Sequence, residues 1–197
     1  LYNENEFLLI MHAKEAKKEA EKISDWIIRI RRELHRHPEL MYEEFKTSKL
    51  VRRELDNLGI PYEAPIAKTG VLGTLGNGNG PCVALRADMD ALPIHEETDV
   101  PFKSEIDGKM HACGHDAHVA ILMGVAEFLT SIKNDLSGDV MFIFQPAEEG
   151  PPVGEEGGAQ LMLKEGIWTE RKPDDVLGLH VTKETNALNA NRDGEAM

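Results

Sequence analysis

The residues best suited to chemistry lie in one nine-residue stretch, 110–118, which contains a cysteine, three histidines and an aspartate. Thiolates, imidazoles and carboxylates are the side chains that bind transition metals in proteins. Cys113 and His115 cannot share one face of a helix because they are two positions apart, but from a loop they can converge on one ion. Asp116 and His118 are close enough to be further ligands or to orient a ligand imidazole. The stretch therefore predicts a bound metal ion that activates water.

Two later segments offer further candidate ligands. The carboxylates Glu148 and Glu149 directly follow the apolar run 140–144, and His180 lies near the end of the apolar run 176–181. Functional groups of open α/β sheets concentrate at the carboxyl ends of strands. One carboxylate of such a pair can bind a metal while the other accepts a proton from the attacking water. These segments thus strengthen the metal-site prediction, although each is weak alone.

Two aspartates, Asp88 and Asp90, end another predicted strand. Alternate residues of a strand project to the same side, so either carboxylate could meet the ion or orient a ligand imidazole. An ion pair with Arg86 is the plain alternative. His35, beside Pro38, could border the same cleft.

Other chemistries of these residues are disfavoured. A nucleophilic pair of Cys113 and His115 would need a base aimed at the thiol, which sequence neighbours rarely achieve. Nucleobase deamination would need a Pro-Cys-x-x-Cys motif after the first cluster, and none follows. A disulfide between Cys82 and Cys113 is disfavoured because two cysteines are too few for a secreted disulfide scaffold of this size.

The elements that must position these residues alternate between helices and strands. Helices are predicted at about 12–37, 42–58 and 160–164, another helix begins at the Cys/His cluster, and strands are predicted at 71–75, 82–86, 140–144 and 176–181. The first two strands are joined through 77–80, whose Asn-Gly pairs favour a tight hairpin. The pattern predicts a layered α/β fold with a largely buried sheet.

Composition excludes several kinds of partner. The 197 residues carry a net charge of −13, so the basic surface that nucleic acid or anionic lipid requires is missing. No apolar run reaches the roughly 18 residues that cross a bilayer. The sequence is therefore interpreted as that of a cytoplasmic protein that acts on a small molecule, with no nucleic acid or membrane partner.

Five motifs stand in a recognisable order along the chain. They occupy residues 34–40 (LHRHPEL), 86–93 (RADMDALP), 111–118 (HACGHDAH), 145–150 (QPAEEG) and 178–181 (GLHV). In this order the sequence resembles the M20 metallopeptidase family, especially its aminoacylase, hippurate hydrolase, auxin-conjugate hydrolase and thermostable carboxypeptidase members. The resemblance covers about residues 26–181. It implies a three-layer α/β/α zinc-peptidase-like catalytic domain.

The resemblance also implies a reaction and a role for each site residue. The reaction is hydrolysis of the amide bond of an N-acyl amino acid, or of the C-terminal residue of a short peptide, by metal-activated water. Glu148 matches the family's general base, and Asp90 matches the carboxylate that supports the site. The cofactor would be two divalent metal ions, with zinc expected and manganese, cobalt or nickel as alternatives. The residues that match the family's metal ligands are Cys113, His115, Glu149 and His180.

The same resemblance gives an expectation for the domains. Residues 1–181 would form the N-terminal portion of the catalytic domain, and 182–197 would lead toward a dimerisation domain that the sequence lacks. The C-terminal part of the catalytic domain would also be absent, including a late histidine ligand, and the longer parent would be a homo-oligomer. The opening on Leu1 rather than methionine favours the same reading. Weak or absent turnover by this chain alone is therefore expected, and the alternative is an inactive metal-binding fragment or interaction protein that retains the site without turnover.

Overall fold

The computed structural model describes residues 4–182, with side chains from residue 14 onward. The elements in chain order are α1 Glu4–Arg36, α2 Phe45–Leu58, β1 Tyr62–Ile66, β2 Gly70–Leu75, β3 Cys82–Asp88, α3 His115–Ser131, a short 3-10 helix Lys133–Asp135, β4 Asp139–Gln145, α4 Gly158–Lys164 and β5 Asp175–Gly178. Most of the predicted connection 182–197 lies outside the described residues. None of the helices within 4–182 combines the length and apolar character needed to cross a membrane.

The five strands form one mixed sheet in the order β1-β2-β4-β3-β5. Strands β3, β4 and β5 run parallel, whereas β1 and β2 pair antiparallel. The predicted hairpin between β2 and β3 is wrong, because β4 lies between them and pairs with both. Gly78 and Gly80 do adopt the positive φ that favours a turn, but the turn leads away from β2 instead of folding the chain back onto it. The apolar residues of β4 gain burial between two neighbours, which a hairpin would deny them.

Helices cover both faces of the sheet, so the predicted three-layer α/β arrangement is confirmed. Helices α1, α2 and α3 pack on one face around Phe142 and Phe144, which are fully buried. The alternate residues Met141 and Ile143 face the other way, against Met162 of α4. This alternation follows from the period of two in a strand. The expectation of a largely buried sheet fails at both edge strands, because all residues of β5 are exposed and Ile66 is the one buried residue of β1.

Helix boundaries differ from the sequence predictions mainly at their first residues. Helix α1 begins at Glu4, earlier than predicted, and α2 begins at Phe45, because Tyr42 has a φ of 62° that no α-helix contains. Strand β1 was not predicted, since Pro65 argues against a strand there. It lies at the edge of the sheet, where proline is tolerated.

Candidate metal centre

The candidate site lies at the carboxyl edge of the parallel strands. Strand β3 ends at Asp88, β4 ends just before the turn that bears Glu148 and Glu149, and β5 ends two residues before His180. Parallel strands bring their carboxyl ends to one edge, so three distant segments meet there. Helix α3 begins at the same edge with His115, which confirms the predicted position of the Cys/His cluster at a helix N-terminus.

Gly114 allows the Cys/His cluster at 111–118 to lie close to Val181, in the segment after β5. Its φ of 89° lies in the left-handed region that glycine adopts without strain. A Cβ at this position would lie 2.4 Å from the Cγ2 atom of Val181. Any larger residue would therefore push the segment that carries His180 away from Cys113.

Cys113 and His180 are in direct contact, with Sγ 3.3 Å from Nε2. The His180 Nδ1 lies 2.8 Å from the Val181 carbonyl, which accepts a hydrogen bond and so leaves Nε2 unprotonated and facing the sulfur. Burial, followed by contact with Glu149 and nearby negative charge, raises the pKa of the Cys113 thiol to about 12. A thiolate here therefore requires a bound cation. Both cysteines are free, so the disulfide alternative is not realised.

His115 lies at the centre of the site and is fully buried. Its Nε2 atom is 3.7 Å from Asp88, 3.6 Å from Glu148 and 3.7 Å from Glu149, measured to carboxylate oxygens. Burial alone would lower the pKa of His115, but the carboxylates of Asp90, Asp88 and Glu149 outweigh burial and raise it. Neither ring nitrogen has a hydrogen-bond partner. A buried imidazole without a partner, ringed by acceptors, is a site that a cation would complete.

The spacing of these atoms fits shared coordination. Two ligands bonded at about 2.1 Å to one tetrahedral ion lie roughly 3.4 Å apart, which is close to the nitrogen–oxygen separations around His115. A buried oxygen of Glu149 also has no hydrogen-bond partner. Within the described residues, three overlapping groups bring one ligand atom from each member within 4.8 Å of the others, and all three groups share His115. The groups are Cys113, His115 and His180; Asp88, His115 and His118; and His115, Glu148 and Glu149.

The two neighbouring glutamates both face the Nε2 atom of His115, so they do not diverge, but they differ in backbone contacts and exposure. The backbone N–H of Glu149 donates to Asp90 at 2.9 Å, and the Glu149 side chain is 17% exposed against 38% for Glu148. Asp90 also places Oδ1 3.4 Å from the Nδ1 of His115. One buried aspartate thus holds the Glu149 backbone and also lies beside the His115 ring.

Asp88 forms the ion pair with Arg86 that the sequence left as the plain alternative, and it also bonds His118. One carboxylate oxygen is 2.6 Å from Arg86, and the other is 2.5 Å from the Nδ1 of His118. Burial would raise the pKa of Asp88, but the His118 hydrogen bond and the Arg86 charge lower it to about 2. The Nε2 of His118 accepts the backbone N–H of Val181 at 3.0 Å. Both nitrogens of His118 are therefore engaged, so this histidine supports the segment next to His180.

Asp116 points away from the site, although it neighbours His115. Its carboxylate accepts hydrogen bonds from His35 at 2.7 Å and Arg31 at 2.8 Å. The other nitrogen of His35 faces Glu96 at 3.2 Å. Asp116 therefore makes none of the contacts expected of a ligand or of a residue that orients a ligand imidazole. Nothing in the sequence singled out Glu96.

The structure thus brings together the residues to which the family resemblance gives roles, namely Cys113, His115, Glu148, Glu149, His180 and Asp90, whereas the further candidate Asp116 lies outside this cluster. Their convergence is a geometric finding. Their individual roles as ligands, base and support stay predictions.

Comparison with known proteins adds independent information. Residues 84–193 match peptidase family M20/M25/M40. The chain is 49% identical to IAA-amino acid hydrolase ILR1-like 5 of Arabidopsis thaliana, over 82% of this chain and 36% of the relative. It is also 49% identical to thermostable carboxypeptidase 2 of Saccharolobus solfataricus, over 84% of this chain and 42% of the relative.

A solved structure agrees with this match. The Bacillus subtilis YXEP protein, described as a dinuclear metal binding peptidase from the M20 family, superposes with a TM-score of 0.74 at 42% identity. The superposition covers 82% of this chain and 44% of that protein. The chain therefore spans between 36% and 44% of the length of these three proteins.

Proposed function

Because this chain belongs to peptidase family M20/M25/M40, we propose that it carries the metal centre of a hydrolase that cleaves an amide bond to an amino acid. The substrates would be N-acyl amino acids or short peptides that lose their C-terminal residue. The observation that carries the proposal is the convergence of a thiol, two imidazoles and two carboxylates on one edge of the sheet, around the buried His115. The names of the relatives, an amino acid conjugate hydrolase and a carboxypeptidase, support the same bond type.

We assign two divalent metal ions to this centre. The ligands would be Cys113, His115, Glu149 and His180. The thiol and imidazoles favour zinc, while the carboxylates admit manganese, cobalt or nickel. When bound, such ions polarise a carbonyl group and lower the pKa of water.

Glu148 is the proposed general base. Its side chain is more exposed than that of Glu149, so a carboxylate oxygen can face both the centre and an arriving substrate. It would take a proton from the attacking water and deliver that proton to the leaving nitrogen. Asp90 would act through its neighbours, since it holds the Glu149 backbone and faces the His115 ring. This division gives each acidic residue a different effect when it is replaced.

A cavity beside the centre offers room for part of the substrate. It has a volume of about 350 Å³ and shares Cys113 as one wall. Val100, Phe102 and Met110 also line it, and these apolar side chains suit an acyl group or an amino-acid side chain. The choice between those two groups is a matter for a substrate panel.

The test is hydrolysis measured together with metal content. A longer form of the chain, extended to the length of its relatives, should contain divalent metal by elemental analysis and should release amino acid from at least one member of a panel of N-acyl amino acids and dipeptides, whereas residues 1–197 alone should do so weakly or not at all. A chelator should abolish the release, and added metal should restore it. Metal binding with no hydrolysis across the panel would favour the alternative, a metal-binding protein without turnover. Absence of both would contradict the proposal.

A further inference from the structure

Glu44 is a fully buried carboxylate that the sequence gave no reason to single out. It immediately precedes α2, yet it makes no side-chain hydrogen bond that caps this helix. Instead, one carboxylate oxygen accepts the hydroxyl of Thr69 at 2.6 Å, and the other accepts the backbone N–H of Ala147 at 2.9 Å. The N–H groups of Tyr42 and of Glu44 itself also face this carboxylate. The hydrogen bond from Ala147 therefore connects Glu44 to the turn that bears the two glutamates of the metal centre.

Ala147 has an unusual backbone that needs such support. Its φ of 46° lies in the left-handed region, which non-glycine residues occupy only when the surrounding structure holds them there. Its N–H is held by Glu44, and its carbonyl accepts the N–H of Gly158 at 3.2 Å. Ala147 immediately precedes Glu148, so its dihedral angles set the direction in which the next two side chains leave β4.

We propose that Glu44 is a positioning residue for the metal centre, acting through the backbone N–H of Ala147 on the placement of Glu148 and Glu149. The inference rests on the proposed function, because a misplaced turn matters only if these carboxylates meet a metal and a substrate. Glu44 touches neither of them. Its effect should therefore appear in metal affinity as well as in turnover.

The test compares three variants of the purified protein. Glu44→Leu removes the acceptor while keeping the bulk. Glu44→Gln keeps an acceptor, because the glutamine amide oxygen can accept the Ala147 N–H while the NH₂ group donates to the Thr69 hydroxyl. Glu54→Leu is the matched control, since Glu54 is a buried carboxylate on the same helix whose partners are Trp26, Arg53 and Asn57. Cobalt(II) is the probe, because a cobalt–thiolate charge-transfer band reports on Cys113 without any substrate.

Glu44→Leu should weaken cobalt(II) binding by about 10–100-fold, the range seen when outer partners of metal ligands are removed, and should change the absorption spectrum. Glu44→Gln should restore affinity and spectrum to nearly those of the wild type. Glu54→Leu should lower the unfolding temperature while leaving the cobalt affinity and the absorption spectrum unchanged. If Glu44→Leu does not fold, Glu44→Asp, which keeps the charge but is one methylene too short, should show the same weakening.

Three outcomes would overturn the inference. If Glu44→Leu binds cobalt with the affinity of the wild type, Glu44 has no positioning role. The same conclusion follows from wild-type affinity in Glu44→Asp, where that variant replaces an unfolded Glu44→Leu. Equal losses in Glu44→Gln and Glu44→Leu would show that the acceptor is not what matters. A wild type that binds no cobalt would overturn the proposed function and this inference together, so the two failures are distinguishable.

Discussion

Two buried histidines, His35 and His115, have opposite surroundings, although Asp116, which pairs with His35, immediately follows His115 in the sequence. His35 lies between Asp116 at 2.7 Å and Glu96 at 3.2 Å, so both of its nitrogens have partners. His115 has carboxylates on every side, but they lie 3.4–3.7 Å away and neither of its nitrogens has a partner. The first turn of α3 separates the two regions, because His115 and Asp116 leave the helix in different directions.

The difference shows how a buried imidazole in a structural role is distinguished from one available to a ligand. Both histidines are surrounded by acidic groups, and both have a raised pKa. Only the hydrogen-bond geometry separates them. A satisfied histidine stabilises the fold, whereas an unsatisfied one among acceptors is costly unless a cation completes it.

The largest effect is expected from replacing His115, the one of these two histidines without hydrogen-bond partners. His115→Ala should lower metal affinity by more than the roughly 10–100-fold typical of outer partners, because His115 is common to all three candidate ligand groups. Hydrolysis should fall with it. His95→Ala is the control, since this exposed histidine pairs only with Asp107. Titration with metal against a competing chelator measures the affinity, and an unchanged value for His115→Ala would refute the assignment.

The second prediction concerns His35, the one of the two histidines whose nitrogens both have partners. His35→Leu leaves Asp116 and Glu96 buried without their shared partner, which should lower the free energy of unfolding by about 3–5 kcal/mol. Metal should still bind. His37→Leu, one residue beyond the end of α1 and with a partly exposed side chain, should change stability little. Denaturant unfolding of the metal-free proteins measures this, and equal stability of His35→Leu and the wild type would show that the pairing contributes nothing.

A smaller effect follows from the pH dependence of the same pair. Burial opposes protonation of His35, but Asp116 and Glu96 outweigh it and raise its pKa above the ordinary 6.5. The stability from the charged form is therefore fully present below the ordinary value and is lost as pH rises through the folded pKa. The stability difference between the wild type and His35→Leu should shrink as the pH rises above about 6.5. A difference that stays constant or grows over this range would contradict the raised pKa.

The fold was predictable where hydrophobic periodicity is strong and local. The continuous apolar run of β4 and the helical pattern of α1 identified both elements, and the layered α/β class followed from the alternation of helices and strands. The pairing of β2 with β4 instead of β3 was not predictable, because it depends on which partner buries Phe142 and Phe144. A turn-forming sequence at 77–80 shows only that the chain turns. It does not show which strand it then joins.

The candidate site was predictable because metal ligands must be particular residue types. Cys113, His115 and His180 could be singled out from composition and from their position near element ends. Glu44 and Glu96 could not, since an acidic residue in a helix or loop usually faces solvent and only tertiary contacts bury it. The same limit applies to His35, whose partners are distant in sequence.

The most direct test of the account compares Glu148→Gln with Glu149→Ala, with metal content and hydrolysis measured on the same preparations. The account predicts that Glu148→Gln keeps its metal and loses about 10²–10⁴ in rate, because only proton transfer is removed. It predicts that Glu149→Ala loses metal as well as activity, because a ligand is removed. Equal metal loss in the two variants, or full activity in Glu148→Gln, would contradict the separate roles assigned to these neighbouring carboxylates.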